Sequence, residues 1–486
     1  MKNVLVIVDQ LSDITADLPG VELVEAFSYL TNPEYSEKKS MTIFNLCRSY
    51  RYQSNGYYVS LLAEARGHTP IPSVNTIQDL KSQSMIRLLS QNIDDLVQDS
   101  LKRLTTDEFT LSIYFGMNLA TRYDRLAKSL YNLFQSPLVR AEFKKGEQWE
   151  LTNIRPIAMS EVPEGHIEFL MKAIRSHFHG RLGRARKKKY KYDLAILVNP
   201  EEKEPPSDEK ALRKFEAAAN EYGFLAERVT KDDFARIAEF DAMFIRETTQ
   251  VNHHTYRFAR RAAAKGVVVI DDPMSIVRCS NKVYLAESMQ QQHIPTPRTL
   301  ILHKNNLSLF EAEITYPCVI KQPDSSFSAG VWKAENQTEM RELAKKLFRK
   351  SDLLLVQSYF PSMFDWRIGV LNNKPLYACK YYMVKDHWQI VQRDGNGTKV
   401  GEGDSETISV QAAPKNVVDM AVKAARLMGD GLYGVDLKQD ENNHVVLIEI
   451  NDNPSIDHGV EDLVLGDLLY EKIIHVLLQR VEGRSL

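Results

Sequence analysis

Gly434-Val435-Asp436-Leu437-Lys438 and, after a short gap, Leu447-Ile448-Glu449-Ile450-Asn451-Asp452-Asn453-Pro454 form the stretch that decides how this chain is read. Two strand-like runs flank Asn442-Asn443, and asparagine tolerates the left-handed backbone of a two-residue hairpin turn. Folding about that turn sets Asp436 directly across from Glu449, with Asn451 two residues on and facing the same way. Like charges opposed across a sheet repel unless something stands between them. Two carboxylates and an amide oxygen are hard ligands of the kind that hold magnesium against nucleotide phosphates. The competing reading is a surface hairpin whose acids face water. The apolar neighbours Val445, Val446, Leu447, Ile448 and Ile450 argue instead for a buried strand. On the like-charge argument alone, removing Asp436 or Glu449 leaves the hairpin intact.

Outward from this hairpin, Asp365-Trp366-Arg367 leads into a second one turning at Asn372-Asn373. That turn sets Lys380 opposite Asp365, on the same face as Arg367, where cations suit charge developing on a transferred phosphoryl group. For each cation, an ordinary cross-strand ion pair is the competing reading. Further upstream, Cys318-Val319-Ile320-Lys321 reads as a buried strand ending in a lysine. The small-residue loop from Pro323 to Gly330 follows it, offering N–H groups and hydroxyls that can cradle phosphates. Leu353 to Phe360 reads as a strand running into a hinge, where backbone amides can meet an adenine edge between apolar walls.

The chain has 486 residues and a formal net charge of −2. That length suits about three domains, and nothing in the charge points to nucleic acid. No apolar run approaches a membrane span. Val4 to Val8, closed by Asp9, is too short for a signal peptide and reads as a first strand. Four cysteines, Cys47, Cys279, Cys318 and Cys379, lie far apart without metal-type spacing, which fits reduced thiols in the cytoplasm.

The basic run from Arg181 to Lys191 reads as a solvated linker, with a phosphate or RNA contact as the competing reading. Before it, residues 1–180 show helical periodicity over Ile86–Leu104 and Arg122–Leu138, and strand alternation over Phe109–Phe115. The stretch Asn45 to Tyr58 mixes arginine with tyrosine, as a substrate surface or a domain interface would. After the run, strands alternate with helices over 191–274, the pattern of a small parallel α/β domain. There Arg246 ends a strand at the sheet's carboxyl edge, where a substrate group is read; a structural turn is the competing reading. From about Ser275 to the end the pattern is α+β, so the whole reads as a multidomain α/β and α+β protein.

The order Asn281-Lys282, Val319-Ile320-Lys321, a Ser/Gly loop, Val356-Gln357-Ser358-Tyr359, Asp365-x-Arg367, Gly434-Val435-Asp436, Glu449-Ile450-Asn451 and Asn453-Pro454 resembles the ATP-grasp superfamily. Within it, the RimK-like carboxylate–amine ligases are the nearest likeness. The resemblance covers 275–486 directly. Residues 191–274 resemble the small α/β domain that precedes such a module, and 1–180 the N-terminal extension of a RimK-like subgroup. It implies Lys282 and Lys321 at the ATP phosphates and the adenine side. The loop around Ser326, Ser328 and Gly330 would close over the triphosphate, and Gln357, Ser358, Tyr359 and Phe360 would hold adenine. Asp436, Glu449 and Asn451 would hold two magnesium ions, with manganese as a substitute, and Arg367 would serve the acyl-phosphate step. Two departures stand out: the phosphate loop is glycine-poor, and Tyr381-Tyr382 stand where many relatives carry an arginine, with Lys380 as the nearest replacement.

The implied reaction phosphorylates a substrate carboxylate with ATP, and an amine then displaces the phosphate to leave an amide. Its partners would be an amino-acid, peptide or protein carboxylate, glutamate among them, and an amine, with no nucleic acid and no membrane. Relatives self-associate, which implies a homo-oligomer. Two rival activities are an ATP-grasp small-molecule kinase and a nucleotide-binding regulator without turnover. The complete Asp436, Glu449 and Asn451 set argues against the second.

Overall fold

The computed structural model describes residues 4–483 except 16–17, 19–20, 39–40, 81–85, 87–92, 186–189, 308–310, 325–329, 386 and 394–398. It divides into two compact units, Met1–Asp193 with Asp232–Asp241, and Leu194–Lys231 with Ala242–Leu486. Among the described residues no helix is long and apolar enough to cross a membrane, and the four cysteines are free and buried.

In the first unit, β1 (Val4–Val8), β2 (Glu22–Glu25), β3 (Thr42–Asn45) and β4 (Thr69–Ile71) form a parallel sheet in the order β2-β1-β3-β4. Continuous apolar runs suit strands covered on both faces, and Leu5, Val6, Ile7 and Val8 are fully enclosed. A second, antiparallel sheet runs β5 (Glu108–Tyr114), β6 (Leu138–Lys145), β7 (Trp149–Pro156). The helix expected over Arg122–Leu138 is shorter, Asp124–Phe134. Gln135 ends it at φ 39° in the left-handed region, and Pro137 disfavours helix before it, so Leu138 is released into β6. The helix expected over Ile86–Leu104 is described as Asp94–Leu101, with 87–92 outside the described residues. So are 186–189 of the basic run.

The second unit begins with β8 (Tyr192–Leu197), β9 (Phe224–Val229), β10 (Ala242–Ile245) and β11 (Val268–Ile270), in the order β11-β10-β8-β9. β10 runs parallel to both β8 and β11. A four-stranded antiparallel sheet follows, from β12 (Thr299–Leu302), β13 (Cys318–Lys321), β14 (Val331–Ala334) and β15 (Leu354–Ser358), ordered β12-β15-β13-β14. Next come β16 (Phe364–Leu371) and β17 (Lys374–Tyr382), the short ribbon of β18 (Val391–Arg393) and β19 (Lys399–Glu402), then β20 (Ser405–Ile408), β21 (Leu432–Gln439) and β22 (Val445–Asn451). Apart from the ribbon these strands form one antiparallel sheet, β20-β17-β16-β21-β22.

One face of that sheet is given to the core. In the helix Lys415–Met428, Val417, Ala421, Ala424, Ala425 and Met428 recur at helical spacing and are buried. They share a hydrophobic cluster with Ile368, Val435 and Ile450. Side chains alternate along a strand, so the immediate neighbours Arg367, Asp436 and Glu449 face the other way.

Each hairpin holds a bulge, with opposite consequences. The two-residue turn expected at Asn442-Asn443 is longer: Asp440 N–H bonds the His444 carbonyl at 3.0 Å, and Asn443 takes φ 64°. This offsets the pairing by one residue, and a bulge between Asp436 and Leu437 restores it, so Asp436 does face Glu449. The other turn is the expected pair Asn372-Asn373, at φ 49° and 60°. A bulge beside Gly369 then shifts the register, so Asp365 faces Tyr381 and Lys380 faces Trp366. A one-residue slip sends a side chain to the opposite face.

Candidate active site

Arg367 on β16, Asp436 on β21 and Glu449 on β22 are consecutive cross-strand partners, forming a row across three strands. The Arg367 guanidinium grips Asp436 with two parallel bonds, Nε to Oδ1 at 2.7 Å and Nη2 to Oδ2 at 2.9 Å. Asn451 Nδ2 donates to Asp436 Oδ2 at 3.1 Å. Lys282 Nζ lies 2.8 Å from Glu449 Oε1. Its place follows from the sequence: the Asn281 side chain accepts from the N–H groups of Val283 and Tyr284, capping the helix Lys282–Gln291 at its first residue. Lys321, the last residue of β13, is also buried.

The electrostatics follow from burial and pairing. Burial lifts the Asp436 carboxyl above the usual carboxylate range, and Arg367 offsets only part of that. Burial also pushes on Glu449, but Lys282, Lys321 and Arg367 together hold it below its ordinary value. Burial, with Lys282 nearby, lowers the Lys321 ammonium to about 8. Both acids therefore sit among cations in a site that hydrates them poorly.

Asp436, Glu449 and Asn451 supply only hard oxygen donors toward a cation, which fits magnesium rather than a softer metal. These three residues would hold such an ion, which would supply positive charge toward nucleotide phosphates. Gly434 is needed behind them: a Cβ there would meet Pro454 Cβ at 2.7 Å. The Asn451–Pro454 segment therefore seats on β21 only with glycine at that position.

Arg367, Asp436, Glu449, Asn451, Lys282 and Lys321 line one cleft of about 1900 Å³, together with Gln357, Ser358, Tyr359 and Phe360. At that end the Gln357 amide donates to Thr299 Oγ1 at 2.9 Å. The N–H groups of Ser358 and Tyr359 already bond the carbonyls of Arg298 and Pro317, at 2.9 and 3.2 Å. A base edge therefore cannot use those two amides, which corrects part of the sequence expectation. Lys333 lies 4.4 Å from the centre of the Tyr359 ring, and Trp388 meets that ring edge-on at 6.2 Å. Ser326 and Ser328 lie outside the described residues. Gly330 is described at φ 81°, and its carbonyl accepts from Gln322 N–H at 3.0 Å. The positive φ is a conformation glycine adopts freely.

Two expected site residues are placed elsewhere. Lys380, turned over by the bulge, pairs with Glu406 at 2.9 Å and lies over the rings of Phe364 and Trp366. Lys380→Ala should therefore cost at most about 1 kcal/mol of stability and leave turnover near the parent's. A loss on the order of 10²-fold in steady-state turnover would return Lys380 to the site. Arg246 is fully buried rather than open to the cleft. Its Nε donates to Ser207 Oγ at 3.0 Å and its Nη1 to Asn453 Oδ1 at 2.6 Å; its Nη2 donates to the Pro454 carbonyl at 2.8 Å and to the Pro206 carbonyl. It clamps the segment after Asn451 instead of reading a substrate.

Sequence reasoning missed Lys438, whose Nζ reaches Asp365 Oδ1 at 2.5 Å and Ser362 Oγ at 2.9 Å on the cleft wall. Pairing β16 with β21 would have found it, since Asp365 and Lys438 are cross-strand partners. It marked Tyr381 only as standing where many relatives carry an arginine, and it missed Glu461; both line the cleft with Arg367.

Comparisons with known proteins show what the chain is similar to. Residues 26–173 match the family model described as RimK-like ATPgrasp N-terminal domain, and residues 290–458 the model D-ala D-ala ligase C-terminus. The chain is 23% identical over 209 residues to alpha-aminoadipate--LysW ligase LysX of Saccharolobus solfataricus, covering 40% of this chain and 69% of that one. It is 24% identical over 245 residues to a probable alpha-L-glutamate ligase of Vibrio vulnificus, covering 49% and 77%. Among solved structures, D-alanine--D-alanine ligase from Bacillus anthracis aligns with 60% of this chain and 97% of its own, at 13% identity and a TM-score of 0.47.

Proposed function

We propose that this chain, which belongs to the RimK-like ATP-grasp proteins, joins a carboxylate to an amine at the expense of ATP. ADP and phosphate are released, and an acyl phosphate lies between the two steps. The observation that supports this most is the row Arg367, Asp436, Glu449, with Lys282 bound to its outer member. Buried carboxylates held open by cations on one wall of a large cleft suit a metal-nucleotide complex, and phosphoryl transfer asks mainly for positioning and charge neutralisation.

When bound, magnesium would draw charge off the terminal phosphates; we assign two ions to Asp436, Glu449 and Asn451, with manganese able to replace them. Lys282 and Lys321 hold the phosphates from the side of β13. Gln357 through Phe360 form the adenine end, using side chains and the backbone groups left unpaired. Arg367 keeps one edge of its guanidinium on Asp436, and its remaining N–H donors are available to a transferred phosphoryl oxygen. We assign nucleotide binding to residues 275–486, part of the substrate wall to 191–274, and an accessory role to 1–180. Two of the relatives named above are an alpha-aminoadipate--LysW ligase and a probable alpha-L-glutamate ligase, which supports glutamate or 2-aminoadipate as one of the two substrates, joined to an amino acid, peptide or protein.

The test is ADP release from magnesium-ATP with L-glutamate, L-2-aminoadipate or D-alanine as acid, and amino acids or short peptides as amines, with products followed by mass. A condensation product establishes the ligase. A stable phosphate ester would make the chain a kinase, and bound ATP without turnover would make it a regulator.

Lys321 gives a second check. An ammonium that loses its proton near 8 attracts phosphate below that pH and not above it. Magnesium-free ATP should therefore bind more weakly as pH rises through about 8. Lys321→Ala should weaken ATP at neutral pH and flatten the profile. Equal ATP affinity in parent and variant, measured by calorimetry, would remove Lys321 from the phosphate site.

A further inference from the structure

The cleft carries a second chemical group set apart from the metal carboxylates. Tyr381 lies on the face of β17 that Lys380 vacates, its ring 5.1 Å from the Arg367 guanidinium carbon. Its hydroxyl donates to Glu461 Oε1, and Glu461 Oε2 accepts from the Asp457 N–H at 2.8 Å. Glu461 is only 1% exposed, yet it borders the cleft through Tyr381, which is partly open. No arginine or lysine side chain bonds this carboxylate among the described residues. The surrounding wall is acidic: Glu402, Asp404 and Asp457 also line it, and Lys399 there is paired with Glu402 at 2.5 Å. An anionic substrate group is poorly served on such a wall, and an ammonium is well served.

The geometry points to Tyr381 and Glu461 as the site that receives the incoming amine and takes up its proton. This rests on the ligase reading and deepens it: the amine arrives as a primary ammonium, drawn to the acidic wall. Tyr381 accepts one of its protons while passing its own to Glu461. The freed nitrogen lone pair attacks the acyl carbon, the C–N bond forms, and the C–O bond to phosphate breaks. Phosphate departs with that electron pair and takes the second proton, which leaves a neutral amide and a protonated Glu461. Tyr381 sits against Arg367, so the proton leaves the amine beside the group that faces the acyl phosphate. Burial raises the Glu461 carboxyl to about 7, which suits an acceptor working at neutral pH.

The experiment compares two nucleophiles on the full chain. Hydroxylamine is already uncharged at neutral pH and needs no base; the fastest amine of the panel above arrives protonated. In Glu461→Gln and in Tyr381→Phe, the ratio of amide to hydroxamate formation should fall about 100-fold, within the range general-base removal produces. Glutamine keeps the side-chain volume, and phenylalanine keeps the ring on Arg367, so one variant stands if the other fails to fold. An unchanged ratio in both variants overturns the assignment, and so does hydroxylamine turnover with no amine accepted by the parent chain. If the parent releases no ADP with hydroxylamine and any acid, the ligase reading itself fails.

Discussion

Glu449→Gln lowers magnesium-dependent turnover on the order of 10³-fold, the several kcal/mol that a metal clamp contributes to a phosphoryl-transfer transition state. Glutamine keeps the shape and one oxygen of the side chain but removes the charge that faces both the metal and Lys282. The chain stays folded, because a surviving amide oxygen still accepts from the Lys282 ammonium now 2.8 Å from the carboxylate. Asp436→Asn behaves alike in turnover. Alanine is the poorer probe at Asp436. Arg367 holds that carboxylate through bonds of 2.7 and 2.9 Å, and deleting one partner of a buried pair costs about 3–5 kcal/mol. The like-charge argument from sequence, which made either acid dispensable to the hairpin, therefore fails: each acid has its own cation. ADP release at saturating magnesium-ATP, with thermal melting as the folding control, checks the prediction. Near-parental turnover in Glu449→Gln would remove the metal assignment.

Arg246→Met destabilises the second unit by about 3–5 kcal/mol and lowers its melting midpoint by roughly 10 °C. Methionine fills part of the volume but donates nothing. Ser207 Oγ, Asn453 Oδ1 and the Pro206 and Pro454 carbonyls would all lose a buried donor, and unmet buried acceptors are costly. Lysine is no rescue, because one ammonium cannot reproduce a planar fork reaching four acceptors. Burial lowers the guanidinium to about 10, so Arg246 remains a cation at neutral pH and the clamp is intact there. Thermal melting of the full chain reads the result. An unchanged midpoint with a raised KM for the acid would restore Arg246 to a substrate role.

The shared face of Asp436, Glu449 and Asn451 was legible because it depends on local alternation. Asp436, Glu449 and Asn451 each sit beside a buried aliphatic, and the two irregularities near them cancel. Lys380 was misplaced by the same reasoning, because the bulge beside Gly369 is not compensated. At that bulge only glycine fits beside the Tyr377 ring, since a Cβ on Gly369 would come within 2.3 Å of it. Arg246 was read correctly as ending a strand at the sheet's carboxyl edge. Its partners Asn453 and Pro454 lie more than two hundred residues on, and no periodicity reports such a contact. The contact between Tyr381 and Glu461 was hidden for the same reason, its partners separated by 80 residues. The parallel strands Val4–Val8 and Ala242–Ile245 were plain as apolar runs, whereas Gln135 and Pro137 cut short a helix that its pattern alone would have continued to Leu138.

The central claim is that ATP activates a carboxylate, and the most direct measurement follows the carboxylate oxygen. The parent chain is supplied with magnesium-ATP, its amine and an acid labelled with heavy oxygen in the carboxyl group, and the released phosphate is weighed. An acyl phosphate requires one carboxyl oxygen to leave with the phosphate, so each phosphate formed should carry one heavy oxygen. Unlabelled phosphate accompanying amide formation would contradict the account.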